Sequence, residues 1–278
     1  MTINIRGQLM DFTIPKVMGI VNVTPDSFYS GSRTQTAEDI RLRVEKMVAD
    51  GVDILDLGGY SSRPGADNVG AEEEYDRLAR GLEVIRGCAP DIPVSIDTFR
   101  ASVARRCVEN WNVDIINDIG GGTLDPDIQE TVAELGSVYV LMHMRGTPST
   151  MQTLTDYDDV TADVIADLAK KVYHLRGLGV NDIIIDPGFG FAKTVAQNFR
   201  LLDELGEFCK MGMPVLAGIS RKTMIWKTLG ITPDESLEGT VALDAFALDR
   251  GADIIRVHDV LPAVQTVRLY SEMRGVGG

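Results

Sequence analysis

The sequence has few of the features that mark disulfide-linked, metal-binding or membrane proteins. Only 3 of its 278 residues are cysteine. Cys88, Cys107 and Cys209 include no CxxC pair and no spacing with histidine that suits a metal site, so we expect reduced, structural thiols in helical segments. No uncharged apolar run of about 18 residues occurs, and the N-terminal MTINIRGQLM lacks a long apolar core. We therefore expect a cytoplasmic protein that neither spans a membrane nor is secreted.

The chain also lacks an excess of basic residues. Its formal net charge is −14, so it has no surplus of cations with which to neutralise nucleic acid or an acidic membrane surface. The composition is otherwise that of a globular protein, with 44% hydrophobic and 24% charged residues. We therefore expect neither a nucleic-acid partner nor a membrane partner.

Short apolar segments recur along the chain, with longer helix-like segments between them. Eight such segments in about 250 residues predict an α/β fold, the (β/α)8 TIM barrel. The segments are rich in valine, isoleucine and leucine on both faces, as expected of parallel strands that are covered on both sides. A doubly wound open sheet is the alternative, because the repeat does not show whether the sheet closes. The predicted strands are residues 16–22, 52–59, 92–98, 113–120, 137–144, 182–188, 213–220 and 252–259.

No linker or low-complexity segment divides the chain. We predict a single barrel domain over residues 1–278, with residues 1–15 as an N-terminal extension. The first predicted helix, residues 36–51, places Ile40, Val44, Met47 and Val48 on one face. Left-handed glycines are predicted to end several helices, at Gly51, Gly136 and Gly179.

Polar side chains collect at the C-terminal ends of the predicted strands, where the active site of a TIM barrel lies. A strand-end aspartate or asparagine often only caps the next helix, but capping does not readily explain a set of this size. Asp97 is followed by Thr98, which is the better cap, so we expect Asp97 to point elsewhere. The residues are Asn22, Asp56, Asp97, Asn117, His143, Asp186, Ser220, Lys222, Arg256 and His258.

Asp97, Asn117 and Asp186 form a set of acceptors and donors without positive charge. A carboxylate accepts a pair of N–H groups, and an amide offers both kinds of partner. The set therefore suits a flat, N–H-rich heterocycle.

Positive side chains follow the seventh and eighth predicted strands, where TIM barrels commonly hold a phosphate. In GADIIRVHDV (251–260), strand alternation places Arg256 and His258, two potential cations, on one face. With Lys222 they predict an anion site in which Arg256 forks onto the anion and His258 adds a donor. The alternative for Arg256 is a buried ion pair with an interior aspartate such as Asp56.

Two polar segments marked by glycine and proline, residues 22–35 and 58–68, are predicted to be loops that close over substrate at the barrel mouth. Arg63 in the second is a candidate anion clamp or, alternatively, a solvated loop arginine. GFGFAK (188–193) is similar to a phosphate-binding glycine loop, but it lacks the full GxGxxG or GxxxxGK pattern and is a weak signal.

A family resemblance rests on motifs that occur in the family's order over roughly residues 16–270. On these motifs the chain resembles dihydropteroate synthase. They are MGIVNVTPDSF (18–28), GGYSSRPGA (58–66), IDT (96–98), IIND (115–118), LMHMRGTPSTMQ (141–152), DPGFGFAK (186–193), SRK (220–222) and IIRVHDV (254–260).

The resemblance implies a TIM-barrel transferase of folate biosynthesis. Such an enzyme joins 6-hydroxymethyl-7,8-dihydropterin diphosphate to p-aminobenzoate, forming 7,8-dihydropteroate and releasing pyrophosphate with Mg²⁺ as cofactor. Family members are understood to ionise the C–O bond to the diphosphate first, giving a carbocation that the arylamine then attacks. The resemblance also implies inhibition by sulfonamides, which compete with p-aminobenzoate, and a homodimer.

By motif position, the resemblance also implies a role for each candidate residue. The pterin pocket is Asp97, Asn117, Asp186 and Lys222. The pyrophosphate site is Asn22, Arg63, Arg256 and His258, with Asn22 also at the metal. The p-aminobenzoate pocket is Phe28, Ser62, Arg63, Pro64, Phe191 and Thr223. The catalytic set is Asp97 and Asp186, which favour the cation, with Lys222, Arg256 and His258, of which the last two favour the departing pyrophosphate.

Three positions depart from the family's usual pattern. Ser30 stands where an aspartate thought to organise the Mg²⁺ and the closed first loop is expected, although Asp26 remains in the same loop. Tyr60 replaces a usual glutamate. Ser62 replaces a usual threonine and keeps its hydroxyl.

Other functions are compatible with parts of this pattern. A corrinoid-linked methyltetrahydrofolate methyltransferase shares the pterin contacts but lacks the paired SRK and RVHDV anion site. An aldolase-like barrel would use Lys222 as a Schiff-base lysine. A non-catalytic pterin-binding protein is suggested only by Ser30 and Tyr60.

Overall fold

The computed structural model describes residues 1–23, 36–60 and 69–276. Within these residues, an antiparallel hairpin precedes an eight-stranded parallel sheet. The hairpin strands are β1 (Thr2–Ile5) and β2 (Gln8–Asp11). The strands of the sheet are β3 (Lys16–Asn22), β4 (Ile54–Gly58), β5 (Val94–Asp97), β6 (Ile115–Asp118), β7 (Val138–Met142), β8 (Ile183–Asp186), β9 (Leu216–Ala217) and β10 (Ile254–Val257). Each lies within one of the predicted segments, so all eight strand predictions are confirmed.

The sheet closes into a barrel. Strands β3 to β8 pair in chain order, and β10 lies between β3 and β9. A parallel bridge between Ile185 and Val215 joins β8 to the entry of β9, where the Ile185 N–H donates to the Pro214 carbonyl at 2.9 Å. The predicted TIM barrel is confirmed, and the doubly wound alternative is excluded because the strand order never reverses.

Helices follow the barrel strands and cover the outside of the sheet. They are α1 (Ala37–Asp50), α2 (Ala71–Cys88), α3 (Ala101–Trp111), α4 (Ile128–Leu135), α5 (Val160–Gly177), α6 (Val195–Asp203), α7 (Gly206–Cys209), α8 (Thr223–Leu229), α9 (Leu237–Asp249) and α10 (Val260–Arg274). The three cysteines lie in α2, α3 and α7, as predicted. In the part of the chain that the structure describes, no helix is long and apolar enough to cross a membrane.

The first helix shows how the sequence sets these elements. Thr36 and Asp39 form a reciprocal capping box at the start of α1, which satisfies backbone N–H groups that have no partner inside the helix. Of the four residues predicted to share one face, Ile40, Val44 and Met47 are buried, whereas Val48 is 38% exposed.

Left-handed glycines end two of the three predicted helices. Gly51 and Gly136 are the C-caps of α1 and α4. Gly179 is also left-handed, with a φ of 90°, but it lies two residues beyond the last residue of α5.

The apolar core has two layers, and the polar cleft lies above the inner one. Side chains such as Met18, Ile54 and Ile254 fill the barrel, whereas Ile255 and Val257 pack outward against the helices. The alternation predicted for the last strand is therefore confirmed, and it turns Arg256 toward the inside of the barrel.

The N-terminal hairpin packs against the inner layer of the core. Ile3, Ile5 and Phe12 join the cluster that fills the barrel. The hairpin turn uses left-handed Arg6 and Gly7, with φ of 52° and 79°, as a two-residue hairpin loop requires. Both the Nε and the Nη2 of Arg6 donate to the carboxylate of Asp114, just before β6. Residues 1–15 thus do more than extend the chain, because they add to the apolar core.

Candidate active site

A cleft of about 310 Å³ opens at the C-terminal ends of the barrel strands. Every described residue to which the family resemblance assigns a role lines it. These residues are Asn22, Asp97, Asn117, Asp186, Phe191, Lys222, Thr223, Arg256 and His258. The other predicted site residues, Phe28, Ser62, Arg63 and Pro64, lie outside the described residues, as do Asp26 and Ser30.

The polar end of the cleft is built from neighbouring strands. Asp97 and Asn117 are directly paired between β5 and β6, so their side chains start from adjacent positions on the barrel wall. Asp186, at the end of β8, accepts a hydrogen bond from the Gly188 N–H at 2.7 Å through one oxygen. The parallel register therefore brings together the acceptor and donor set that the sequence predicted.

Arg256 lies between two carboxylates. Its guanidinium donates to Asp56 at 2.6 Å and to Asp97 at 2.9 Å. Asp56, which has no exposed surface, also accepts from the Asn117 amide at 3.2 Å. The ion pair with Asp56, which the sequence left as the alternative, is therefore present, and the role of Arg256 as an anion ligand stays a prediction. A charged residue amid the apolar strand DILDL is the signal that could have placed Asp56 in this network.

Burial changes the charge state of the carboxyl groups. It raises the pKa of Asp97 to about 7, even though the adjacent Arg256 acts in the opposite direction. Burial likewise raises the pKa of Asp186, and the nearby Lys222 opposes that shift. At neutral pH, Asp97 is thus divided between its ionised and protonated forms.

Lys222 crosses the cleft to the opposite turn. Its Nζ donates to the carbonyl of Phe189 and lies 4.9 Å from the centre of the Phe191 ring. Gly190 makes room for it, because a Cβ at that position would lie 3.1 Å from Lys222 Cδ. Burial lowers the Lys222 pKa to about 8, with Asp186 opposing the shift.

His258 contributes a neutral ring rather than a second positive charge. Its Nδ1 lies 3.0 Å from the Ser220 hydroxyl. Burial, together with Arg256 and other nearby cations, holds the pKa of His258 well below its ordinary value. The ring is therefore uncharged in the ligand-free protein, and its role as a donor to an anion stays a prediction.

Arg221 is a structural residue of the site that the sequence analysis did not single out. Its guanidinium makes two hydrogen bonds to Asp259, at 2.8 and 3.1 Å, and donates to the carbonyls of Pro233 and Asp234. Its backbone is left-handed, with a φ of 55°. These contacts fix the turn that carries Ser220 and Lys222. The position of Arg221 between these two residues is the sequence signal that could have identified it.

Beside Asp97, the prediction that Thr98 caps α3 was wrong. The helix begins at Ala101, whose N–H donates instead to Asp125 at 2.9 Å. The Thr98 hydroxyl donates to buried Glu74 at 2.6 Å. The expectation that Asp97 points elsewhere is confirmed by its contact with Arg256.

Two members of the predicted strand-end set do not line the cleft. Asp56 and His143 are buried, with 0% and 2% of their surface exposed. Tyr60, one of the departures from the family pattern, does line it, and its ring stands edge-on to Phe99 at 5.4 Å.

Comparisons with known proteins agree with this geometry. A family model described as pterin binding enzyme matches residues 18–258. The dihydropteroate synthase of Haemophilus influenzae is 38% identical over 95% of this chain and 96% of that protein. A structure of the Yersinia pestis dihydropteroate synthase with a sulfonamide drug has a TM-score of 0.93 at 35% identity, covering 99% of both chains. The Xanthomonas albilineans dihydropteroate synthase with 4-aminobenzoic acid has a TM-score of 0.89 at 37% identity, covering 99% of this chain and 98% of that one.

The matches extend over nearly the whole barrel and include every described residue of the cleft. The chain therefore belongs to the dihydropteroate synthase family of pterin-binding enzymes.

Proposed function

We infer that this protein is a dihydropteroate synthase, a transferase of folate biosynthesis. It joins 6-hydroxymethyl-7,8-dihydropterin diphosphate to p-aminobenzoate and releases pyrophosphate. The observation that carries this conclusion is the convergence of Asp97, Asn117, Asp186 and Lys222 with Arg256 in one cleft of a family member. The similar enzymes solved with 4-aminobenzoic acid and with a sulfonamide support binding of the same classes of compound here.

The pterin ring is bound by the acidic and amide side chains. The carboxylates of Asp97 and Asp186 accept the ring N–H groups, and the Asn117 amide offers both a donor and an acceptor. Lys222 donates to a ring acceptor. The same carboxylates stabilise positive charge that develops on the pterin when its C–O bond breaks.

Arg256, His258 and Asn22 are assigned to the diphosphate. Arg63, which lies outside the described residues, is assigned to it by motif position alone. The C–O electron pair leaves with the pyrophosphate, and the arylamine nitrogen forms the new C–N bond and then loses a proton. Arg256 stabilises the departing charge with its guanidinium, and neutral His258 adds a donor. The reaction needs no side-chain nucleophile, so Lys222 serves as a pterin donor rather than as a Schiff-base lysine.

Asn22 also suits the Mg²⁺ that the family resemblance implies. In the described residues, no group of three or more histidine, cysteine, aspartate or glutamate side chains is placed to hold a metal ion. Mg²⁺ often needs only one or two protein oxygens, because it keeps waters and binds substrate phosphates. The Asn22 amide oxygen is a ligand of the kind that Mg²⁺ prefers. A Cβ on Gly58 would lie 3.1 Å from this oxygen, so the glycine at position 58 leaves room for it. Bound there, Mg²⁺ would neutralise charge on the pyrophosphate.

A homodimer and a cytoplasmic location complete the proposal. The net charge and the free cysteines support the location. The dimer is supported by exposed apolar side chains on α9 and α10, namely Phe246 (57%), Leu269 (69%) and Met273 (83%). Arg274 donates to Asp249 and so joins the C-terminal ends of these two helices. Exposed apolar side chains this large suit a surface that a second copy covers.

The assay that tests the function measures pyrophosphate release and dihydropteroate formation, with and without p-aminobenzoate and Mg²⁺. We expect release that depends on both, which would also show that Ser30 is tolerated. Tight pterin binding without release under any of these conditions would contradict the proposal and identify a pterin-binding protein.

Replacement of Arg256 separates its proposed effect on pyrophosphate release from its effect on pterin binding. In Arg256→Ala we expect the rate of pyrophosphate release to fall about a hundredfold, because the departing charge loses its guanidinium. The dissociation constant of 6-hydroxymethylpterin, which carries no diphosphate, should rise less than about tenfold. Arg250→Ala, at the exposed end of α9, is the control and should change neither value. Equal effects on release and on binding would contradict the assignment.

Pterin affinity should fall in acid because of Asp97. Below its pKa of about 7, the ligand-free enzyme holds a proton on this carboxyl. The pterin N–H groups require the carboxylate, so this proton must be lost on binding. The dissociation constant of 6-hydroxymethylpterin, followed by its fluorescence, should therefore rise by up to about tenfold per pH unit below that value. Asp97→Asn should bind more weakly and lose this slope, whereas an equal slope in the variant would assign it to another group.

Light scattering checks the proposed dimer. We expect Leu269→Glu to give monomers, because a charge on the covered face disfavours association. Tyr173→Glu is the matched control, since Tyr173 is 84% exposed on α5, and it should remain dimeric. A monomeric unsubstituted protein, or a dimeric Leu269→Glu variant, would contradict the proposal.

A further inference from the structure

Lys193 ends the segment GFGFAK but does not reach the cleft. It is 5% exposed, and its amino group makes three contacts inside the protein. The Nζ donates to the carbonyls of Gly188 and Phe191, both at 2.9 Å, and lies 3.1 Å from His143 Nδ1. A lysine ammonium has three donors, one for each of these acceptors. Burial lowers the Lys193 pKa to about 7, and Asp186 opposes that shift. Instead of the weakly indicated phosphate-binding loop, the structure shows a lysine that anchors this segment from inside the protein.

His143 is the third acceptor of this anchor. Burial and the neighbouring lysines lower its pKa to about 2, so the ring is neutral. A neutral imidazole with a lone pair on Nδ1 carries its proton on Nε2. His143 therefore accepts from Lys193 rather than competing with it as a cation.

The turn that Lys193 holds faces Lys222 on its other side. The carbonyls of Gly188 and Phe191 bond Lys193, whereas the carbonyl of Phe189, between them, accepts from Lys222. Gly188 and Gly190 are left-handed, with φ of 72° and 81°. A Cβ on Gly188 would lie 2.0 Å from the His143 carbonyl, so the close approach requires glycine. The turn is thus clamped between two lysines.

The same turn connects Lys193 to Asp186. Gly188 donates its N–H to the Asp186 carboxylate at 2.7 Å and accepts from Lys193 through its carbonyl. One residue therefore links the buried ammonium to the carboxylate that faces the cleft. Phe191, bonded to Lys193 through its carbonyl, places its ring in the cleft.

We propose that Lys193 is a positioning residue for both substrates: its three hydrogen bonds fix the turn 188–191, which sets Asp186 and Lys222 for the pterin and Phe191 for the arylamine. The inference rests on the proposed function, because it assigns Lys193 to the substrate sites of that reaction. Lys193 acts through these residues and touches neither substrate.

The test compares binding with turnover in Lys193→Met, which keeps most of the side-chain volume and removes the ammonium. We expect the dissociation constant of 6-hydroxymethylpterin and the KM for p-aminobenzoate each to rise about tenfold. A purely structural role would act differently. It would lower the folded fraction, and with it the maximal rate, while the folded molecules kept the KM and the dissociation constant of the unsubstituted enzyme.

Two further variants keep the test decisive. His143→Phe retains a ring and removes only the third acceptor. We expect it to raise the same two constants by a smaller factor, and it provides the test if Lys193→Met does not fold. Lys16→Met removes a partly buried lysine at the start of β3, at the other end of the barrel from the cleft, where it pairs with Asp53, and should leave both constants unchanged. Constants within about twofold of the unsubstituted enzyme in the folded Lys193 and His143 variants would overturn the proposal, as would equal changes in Lys16→Met.

The inference and the function fail differently. If the unsubstituted protein does not bind 6-hydroxymethylpterin, the proposed function fails and the inference fails with it. If the unsubstituted protein and Lys193→Met bind it equally well, only the role of Lys193 is overturned.

Discussion

The contact of Arg256 with Asp56 and Asp97 is the interaction on which the site depends. A guanidinium inside a barrel is tolerable only if it is paired, because an isolated buried charge is costly. Asp56 has no exposed surface, so the reverse also holds: the carboxylate needs the arginine. Buried ion pairs add little net stability compared with apolar packing. Their presence above an apolar barrel core therefore indicates a site kept for binding and chemistry rather than for stability.

Two kinds of support hold the cleft around this ion pair. Asp97, Asn117, Asp186 and Arg256 stand on strands, whose positions are set by the parallel register. Lys222 and Phe191 follow strands on turns, and Thr223 begins α8, so the register fixes none of the three. Buried cations fix these turns instead: Arg221 bonds Asp259 behind the Lys222 turn, and Lys193 bonds the backbone behind the Phe191 turn.

The sequence predicted the barrel and the cleft because both follow from local patterns. Apolar segments of strand length mark the barrel, and polar residues at their ends mark the cleft. Partner choice was not predictable, because Arg256 had two chemically sound partners, an anion and Asp56, and periodicity does not distinguish them. Arg221 and Lys193 were missed as supports for a similar reason. A buried cation in a glycine-rich turn has the same sequence pattern as one that binds phosphate.

The hairpin and the start of α3 show a second limit on what local sequence patterns predict. The hairpin comes from short strands around Arg6 and Gly7, and its burial depends on a barrel floor assembled from distant strands. The N–H of Ala101 is satisfied by Asp125, a residue after β6, so the local choice of Thr98 as a cap could not succeed. In both places a contact between distant segments overrides the local signal.

The ligand-free ion pair also couples the two halves of the first substrate. If Arg256 turns to the diphosphate, Asp97 loses its cation and becomes more costly to keep ionised. The pterin N–H groups would then donate to Asp97 in place of the arginine, so binding of the pterin ring and binding of its diphosphate would support each other. In the proposed reaction, loss of pyrophosphate after the C–O bond breaks would return Arg256 to Asp97 and weaken the hold on the pterin. Under the proposed function, the same ion pair that makes a buried arginine tolerable would thus favour tight binding of the intact substrate and release of the product.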